Sequence, residues 1–253
     1  MSQPGPRSVR ARISACLPGE VLPLPPRIEV ELVREVTRTS PDGFLQVREV
    51  ELQNRYRGEI SAPYRYFMVE RSRLDAVALV LFRLRDGSVE LVLRSQLRPP
   101  LCFRPEYEVP LLARGTGAVQ WEIPAGLVES GERGLEGLFA RACAEAREEV
   151  GVLLPTERFR ALGPASSLSP GLIAEKLHFV CAEILDTDEW ELAEGDGHAV
   201  EEHSLSLFVP LSTALAAIEQ GVVHDVKTEV GVYRLQALAA GLRHVEHPPS
   251  IPG

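Results

Sequence analysis

The sequence predicts an α/β fold in which helices cover a mixed β-sheet. Three observations predict it: alternating and apolar segments typical of strands come first, one amphipathic helix lies at the centre, and further strands precede two terminal helices. A chain of 253 residues can bury a core of useful size. With 45% hydrophobic and 25% charged residues, the composition favours an ordinary globular class.

Composition divides the chain into four predicted segments. Residues 1–27 are rich in Pro and Gly and predict a flexible arm, and residues 244–253 predict a tail. Residues 28–72 alternate and carry aromatic and β-branched side chains, which predicts a small antiparallel β region. Residues 73–243 form the main α/β domain. The strands predicted in the N-terminal β region are Ile28–Val33, Leu45–Leu52 and Tyr64–Val69.

The main domain is predicted to begin with a buried strand and a hairpin. Ala76–Phe82 is a nearly unbroken apolar run, as expected for a strand covered on both faces. Asp86 and Gly87 then form a two-residue turn of the kind that joins antiparallel strands. The remaining strands are predicted at Val89–Leu93, Phe159–Leu162, Leu177–Ile184 and Ser204–Pro210, and the terminal helices at Ser212–Gln220 and Asp225–Leu242.

Charge and hydropathy narrow the class of partner. The chain has 27 basic and 36 acidic residues, a net charge of −9, which disfavours a nucleic-acid backbone as the main partner. Binding of a small anion by a few arginines and a metal ion is compatible with this net charge. No apolar stretch approaches the ~18 residues of a membrane helix, and the start lacks a signal-peptide core. We therefore expect a cytoplasmic protein that does not bind membranes or nucleic acid.

The central helix carries three glutamates near its end. Glu145, Glu148 and Glu149 are spaced i, i+3 and i+4, so an α-helix places them on one face. Like charges at this spacing repel one another, whereas hard oxygen ligands of this kind suit Mg²⁺ or Mn²⁺. The pattern therefore favours a divalent metal site. The alternative is a solvated acidic face interspersed with Arg141 and Arg147.

An apolar stripe on the same helix places these acids beside a buried surface. At about 100° per residue, the glutamates lie along one rim of the stripe. Arg141 falls on the acidic side and can pair with Glu145, whereas Arg147 points away. Gly151 then ends the helix. The stripe consists of Leu135, Phe139, Ala142, Ala146 and Val150.

The stretch Ile123–Val152 resembles the Nudix box, whose pattern is G-x5-E-x7-R-E-U-x-E-E-x-G-U, with U an aliphatic residue. This resemblance implies a Nudix hydrolase domain at residues 73–243, built as an α/β/α sandwich. It also implies that the three helix glutamates bind the metal, with Glu148 among the catalytic residues. The matching residues are Gly126, Glu132, Glu145, Ala146, Glu148, Glu149, Gly151 and Val152.

The box departs from the pattern in two places. Between Glu132 and Glu145 it has four residues more than the pattern allows. Four residues amount to about 400° of helix, so a lengthened helix or a lengthened loop leaves the acids facing the site. The residue before Glu145 is Ala144 instead of arginine, and we expect Arg141 to replace it.

Two segments before the box resemble the ADP-ribose and nucleoside-diphosphate-sugar pyrophosphatase branch of this superfamily. Residues 121–126 read W-E-I-P-A-G, similar to the W-E-L-P-A-G entry of that branch. The resemblance implies that the Ala125 carbonyl joins the metal shell and that Glu122 belongs to the substrate site. Residues 94–100 read R-S-Q-L-R-P-P, similar to R-Q-Y-R-P-P, which implies that Arg98 binds the diphosphate. A guanidinium suits phosphate oxygens because its planar fork donates two parallel hydrogen bonds.

Three further segments extend the resemblance over about residues 50–240. The S-P-G-x-x-x-E loop ending at Glu175 resembles a loop over the metal site, which implies that Glu175 is the general base. The segment around Asp225 resembles the G-x-I-x-D-x-K-T helix start of these hydrolases, where Asp225 acts as an N-cap. Residues 55–68 resemble a region that builds a homodimer, which implies that Arg57 contacts the substrate across the subunit boundary. An ordinary edge hairpin is the alternative for this region.

The resemblance thus implies Mg²⁺-dependent hydrolysis of the diphosphate bond of ADP-ribose or a related nucleoside-diphosphate sugar. The products would be a nucleoside monophosphate and a sugar phosphate. In the alternative, the altered box has lost catalysis, and the fold serves as a nucleotide-binding sensor or an interaction module.

Overall fold

A computed structural model describes residues 13–15, 44–56, 59–60, 62–107, 117–193, 199–201 and 203–241. Among the helices in these ranges, none combines the length and apolar character that crossing a bilayer requires. The three α-helices are α1 (Gly134–Glu145), α2 (Leu211–Glu219) and α3 (Val226–Ala239). In chain order the strands are β1 (Ile13–Ala15), β2 (Gln46–Leu52), β3 (Arg55–Tyr56), β4 (Glu59–Ile60), β5 (Tyr64–Glu70), β6 (Ala76–Arg85), β7 (Ser88–Leu97), β8 (Val119–Glu122), β9 (Ala125–Leu127), β10 (Val152–Leu153), β11 (Arg160–Ala161), β12 (Leu177–Glu183), β13 (Glu189–Trp190) and β14 (Ser206–Pro210).

The centre of the molecule is a mixed sheet. Its main path runs β1-β14-β7-β6-β12-β11, with β8 paired to β7 and β9 paired to β6. The β6–β12 and β1–β14 pairs are parallel, and the other pairs of this sheet are antiparallel. Asp86 and Gly87 join β6 to β7 with φ of 50° and 75°. Positive φ at both turn residues is typical of the tight hairpin turn that the sequence predicted.

Helices cover the sheet on both faces because β6 is apolar at every buried position. Ala78 and Val80 pack into one core together with residues of α2 and α3. Val77 and Leu79 point to the opposite face and pack into a second core with residues of α1. The predicted α/β/α sandwich is therefore confirmed.

The predicted apolar stripe of α1 is wrong at its first residue. Leu138, Ala142, Ala146 and Val150 are buried, and Phe139 packs beside them, but Leu135 is 43% exposed. Leu135 lies in the first turn of α1, whose Gly137 approaches the Glu132 backbone. The buried stripe therefore begins one turn later than its periodicity indicated.

A small two-stranded sheet precedes the main domain, as the sequence predicted. Strands β2 and β5 pair antiparallel from Gln46↔Glu70 to Leu52↔Tyr64. The predicted strand Ile28–Val33 lies outside the described residues. Strand β1 belongs to residues 1–27, and most of that segment also lies outside the described ranges. The four segment boundaries stay predictions.

The segment that contains β8 and β9 lies between β6 and β7, at the place where these two strands diverge. Strands β6 and β7 pair with each other only near their hairpin, from Phe82↔Leu91 to Arg85↔Ser88. Beyond that point β8 pairs with β7, and β9 pairs with β6. Pro124 lies at the switch, where its carbonyl accepts a 2.8 Å hydrogen bond from the Leu79 amide. This segment therefore carries Ala125 and Gly126 toward the end of α1.

Candidate active site

The end of α1 widens into a π turn at Ala146–Val150. The Gly151 amide donates to the Ala146 carbonyl at 3.0 Å and to the Arg147 carbonyl at 2.9 Å. Gly151 has φ of 85°, which confirms the predicted helix end at a left-handed residue. A π turn closes over five residues instead of four, so each residue advances by less than about 100° around the axis.

The widened turn separates the three glutamates. Glu145 and Glu149 are each 8% exposed, whereas Glu148 is exposed. With the smaller advance per residue, Glu149 stays aligned with Glu145, and Glu148 lies farther around the helix than regular α-helical spacing places it. Within the described residues, no three His, Cys, Asp or Glu side chains are already gathered as a metal cage.

The Glu149 carboxylate is held by two donors. Its Oε1 accepts from Arg94 Nη1 at 2.9 Å, and its Oε2 accepts from the Ala125 amide at 3.0 Å. Ala125 and Glu149, both predicted metal-site residues, are therefore in direct contact. Burial raises the pKa of Glu149 to about 7, against the opposing charge of Arg94.

Glu145 lies directly over Gly126. A Cβ built on Gly126 would overlap the Glu145 carboxyl group and would lie only 2.6 Å from its Cγ. Glycine therefore leaves the room that this carboxylate occupies, because any side chain at position 126 would displace it. Burial and the neighbouring Glu149 charge raise the pKa of Glu145 to about 8.

These observations fit a divalent cation. Two buried carboxylates of like charge resist ionisation, as their raised pKa values show, and a cation would remove that penalty. Because Gly126 has no side chain, nothing at that position covers the carboxylate of Glu145. Carboxylate oxygens are also the ligands that Mg²⁺ prefers.

The segment between Glu132 and Glu145 is helical for almost its whole length. Helix α1 begins two residues after Glu132, so only Arg133 lies between them. Arg141 pairs with Glu132 at 3.0 Å and with Glu145 at 3.6 Å. The predicted pair of Arg141 and Glu145 is confirmed, and Arg141 connects Glu132 to the acids at the end of the helix. Arg147 points elsewhere and pairs with Glu191.

Arg98 and Glu122, both predicted at the substrate site, form a bidentate pair. Arg98 donates from Nε to Glu122 Oε1 at 2.8 Å and from Nη2 to Oε2 at 2.5 Å. Glu122 is nearly inaccessible, whereas the Arg98 side chain is 45% exposed. Burial favours the neutral form of Glu122, but Arg98 and Lys227 outweigh it and lower its pKa. Glu122 lies opposite Arg94 in the β7–β8 register, and Arg94 is the residue that donates to Glu149, so the Arg98–Glu122 pair lies in the same part of the sheet as that acid.

Replacing Glu122 by Gln tests this pair through its pH dependence. Because the pKa of Glu122 lies below its ordinary value of 4.5, its charge stabilises the fold above that value and ceases to do so as pH falls through the lowered pKa. At about pH 7 we expect Glu122→Gln to lower the free energy of unfolding by about 3 kcal/mol, because two cations lose a charged partner. The deficit should shrink as the medium becomes acidic. Urea unfolding followed by tryptophan fluorescence measures it, and a pH-independent deficit would contradict the prediction.

Glu175, the predicted general base, lies in an ion pair with Arg71. Both side chains are largely buried. The loop that carries Glu175 is also fastened to β5, because the Tyr66 hydroxyl donates to the Gly171 carbonyl at 2.6 Å. The structure thus brings together Glu145, Glu149, Ala125, Arg98 and Glu122, and it holds Glu175 in a separate pair. Arg57 lies outside the described residues.

Two site residues were not predicted from the sequence. Arg94 is 4% exposed and joins Glu149 to Glu201, with its Nη2 lying 3.6 Å from Glu201 Oε2. Alternation along the strand could have revealed Arg94, because Arg94 and Gln96 share one face of β7 and Arg98 follows directly after the strand ends. Glu201 has no such signal, since a distant loop brings it to the site.

Comparison with known proteins supports the fold. No protein-family model and no curated protein sequence matches the chain. A solved structure titled "Crystal structure of ADP compounds hydrolase" is similar, with a TM-score of 0.57 and 20% identity over 88% of this chain and 98% of that chain. The chain has a Nudix-type fold. At this identity the likeness shows the fold alone.

Proposed function

We propose that the protein is a metal-dependent hydrolase of the diphosphate bond in ADP-ribose or a related nucleoside-diphosphate sugar. The observation that carries this proposal is the pair of buried carboxylates, Glu145 and Glu149, which lie over Gly126 and against the Ala125 amide, respectively. The fold is similar to that of the solved structure titled as an ADP compounds hydrolase, and this similarity supports the proposed substrate class. The products are a nucleoside monophosphate and a sugar phosphate.

In this proposal Glu145, Glu148, Glu149 and the Ala125 carbonyl would hold Mg²⁺, with Mn²⁺ as a substitute. When bound, the metal would neutralise charge on the diphosphate and lower the pKa of the attacking water. Arg94 and the Ala125 amide fix the carboxylate of Glu149. Glu148 is exposed, so its carboxylate would have to turn toward Glu145 and Glu149 to join this ligand set. Arg98 binds the diphosphate and keeps it in line for attack.

The acceptor of the water's proton is a carboxylate outside α1. We propose Glu175 for this role, with Arg71 as its partner until the substrate is bound. Glu201 is a second candidate, since it shares Arg94 with Glu149 and its charge acts on Glu145. Separate Glu175→Gln and Glu201→Gln variants distinguish them, because only loss of the acceptor should flatten the acidic limb of the pH profile of kcat.

A nucleotide-binding sensor or interaction module is the second candidate. It is favoured by the exposed position of Glu148 and by the ion pair that holds Glu175. In that case the site binds a nucleotide through Arg98 without turning it over.

Phosphate release distinguishes the two functions. ADP-ribose and UDP-glucose are incubated with the protein in the presence and absence of Mg²⁺, and a phosphatase liberates phosphate from the products. We expect Mg²⁺-dependent release from at least one substrate. Glu136→Gln serves as the matched control for the Glu149→Gln variant, because Glu136 is an exposed acid in the first turn of the same helix. Nucleotide binding without any release would instead support the sensor.

We also propose a homodimer built through residues 28–72, with Arg57 reaching the substrate of the partner subunit. Support comes from the outer face of the β2–β5 sheet, where Val47 is 58% exposed and Phe67 is 56% exposed. An isolated two-stranded sheet is marginally stable, and a second copy would cover these side chains. We expect light scattering to give twice the chain mass, and Phe67→Asp to give the mass of one chain. A monomeric wild-type protein contradicts this proposal.

A further inference from the structure

We infer that Lys227 is a positioning residue for substrate binding, because it holds the carboxylate that orients Arg98. The inference rests on the proposed function and assigns a role to the D-x-K-T helix start. Lys227 follows the N-cap of α3, and its side chain is 7% exposed. A lysine is rarely buried to this extent unless its charge is paired.

Lys227 is paired with two carboxylates. Its Nζ donates to Glu122 Oε2 and, at 2.9 Å, to Asp225 Oδ2. The same Oε2 atom of Glu122 accepts the Nη2 donor of Arg98. One buried carboxylate oxygen is therefore shared by a buried lysine and a half-exposed arginine.

Sharing this oxygen affects both the geometry and the charge of Arg98. Glu122 uses Nε and Nη2 of Arg98, so the guanidinium plane is fixed by the plane of the carboxylate. Without Lys227, Glu122 would balance the charge of Arg98 alone. With Lys227 on the same oxygen, more of the Arg98 charge remains for an anion at its exposed side.

The helix start is itself anchored to the strand that carries Glu122. Asp225 accepts hydrogen bonds from the amide and hydroxyl of Thr228 at 2.9 and 2.6 Å. The fully buried Thr228 hydroxyl in turn accepts from the Ile123 amide at 2.9 Å. Lys227 therefore projects from a helix end that is fastened next to its target, which suits a positioning role.

The experiment compares Lys227→Met with Arg158→Met. Arg158 is a suitable control because it forms a partly buried pair with Asp188 at 3.1 Å and donates to the Glu183 carbonyl, at the end of β12 away from the site. For Lys227→Met we expect KM for ADP-ribose, and the Kd of its α,β-methylene analogue, to rise by about tenfold, while kcat changes by less than about threefold. Arg158→Met should leave both constants unchanged.

A double variant separates positioning from general loss of structure. If Lys227 acts through Arg98, adding Lys227→Met to Arg98→Ala should raise the Kd of the analogue no further. An unchanged Kd in Lys227→Met, or an additive effect in the double variant, overturns the inference. If Lys227→Met does not fold, Lys227→Gln carries the same expectation. A wild-type protein that binds the analogue but turns over no diphosphate refutes the proposed function, and the Kd values still decide the role of Lys227.

Discussion

Replacing Glu149 by Gln should reduce Mg²⁺-dependent turnover by about a thousandfold, which corresponds to ~4 kcal/mol of transition-state stabilisation. Both carboxylate oxygens of Glu149 accept a hydrogen bond, one from Arg94 and one from the Ala125 amide, so this acid is firmly held in position. The amide of glutamine is nearly isosteric but presents a donor where the metal needs a ligand. Steady-state kinetics with ADP-ribose measure the loss.

The same variant should fold normally. Above about pH 8, where both acids are ionised, and in the absence of metal, Glu149→Gln removes one of two buried like charges, so we expect its melting temperature there to equal or exceed that of the wild type. Added Mg²⁺ should raise the melting temperature of the wild type and leave that of the variant unchanged, because a ligand stabilises only the state that binds it. Turnover within about tenfold of the wild type would show that Glu149 is not a metal ligand.

Replacing Gly126 by Ala should abolish most metal binding while leaving the fold intact. The new methyl group would occupy the position of the Glu145 carboxyl group, which must rotate away. Gly126 is not among the glycines with positive φ, so alanine fits its backbone, and we expect a stability change within about 1 kcal/mol. Displacement of Glu145 should lower Mg²⁺ affinity by at least about tenfold, with a parallel fall in kcat/KM.

Gly131→Ala is the control for Gly126→Ala. Gly131 lies in the turn between β9, which contains Gly126, and α1; its φ is not positive, and a Cβ there meets no atom within 4 Å. It should retain the Mg²⁺-dependent shift in melting temperature. If Gly126→Ala also retains that shift, Glu145 is not part of a metal site.

The sequence predicted most of the fold because the fold depends on local periodicity. The apolar run at the start of β6, the Asp86-Gly87 turn and the Asp225 N-cap each have a short-range cause, and each prediction is confirmed. Strands β8 and β9 were not predicted, because they are short and pair with different neighbours on either side of Pro124. Their pairing depends on the divergence of β6 and β7, which no local pattern encodes.

The candidate site likewise has some features that residue spacing predicted and others that it did not. Spacing alone placed Glu145 and Glu149 on one side of the helix and paired Arg141 with Glu145. Spacing did not show that Glu148 is exposed, because regular α-helical geometry was assumed and the helix ends in a π turn. It also did not show Glu201, which reaches Arg94 only through the path of its loop.

By itself, the sequence determined a mixed sheet covered by helices and an acidic helix end, since hydrophobic periods and residue spacing are properties of neighbouring positions. Only the structure decided that the residues after Arg133 belong to α1 and not to a loop, that Lys227 and Arg98 share one oxygen of Glu122, and that Glu175 pairs with Arg71. The side-chain contacts among these join residues 24 to 105 positions apart. Packing of whole helices and strands brings such residues together, and a local sequence pattern does not show which distant residues will be in contact.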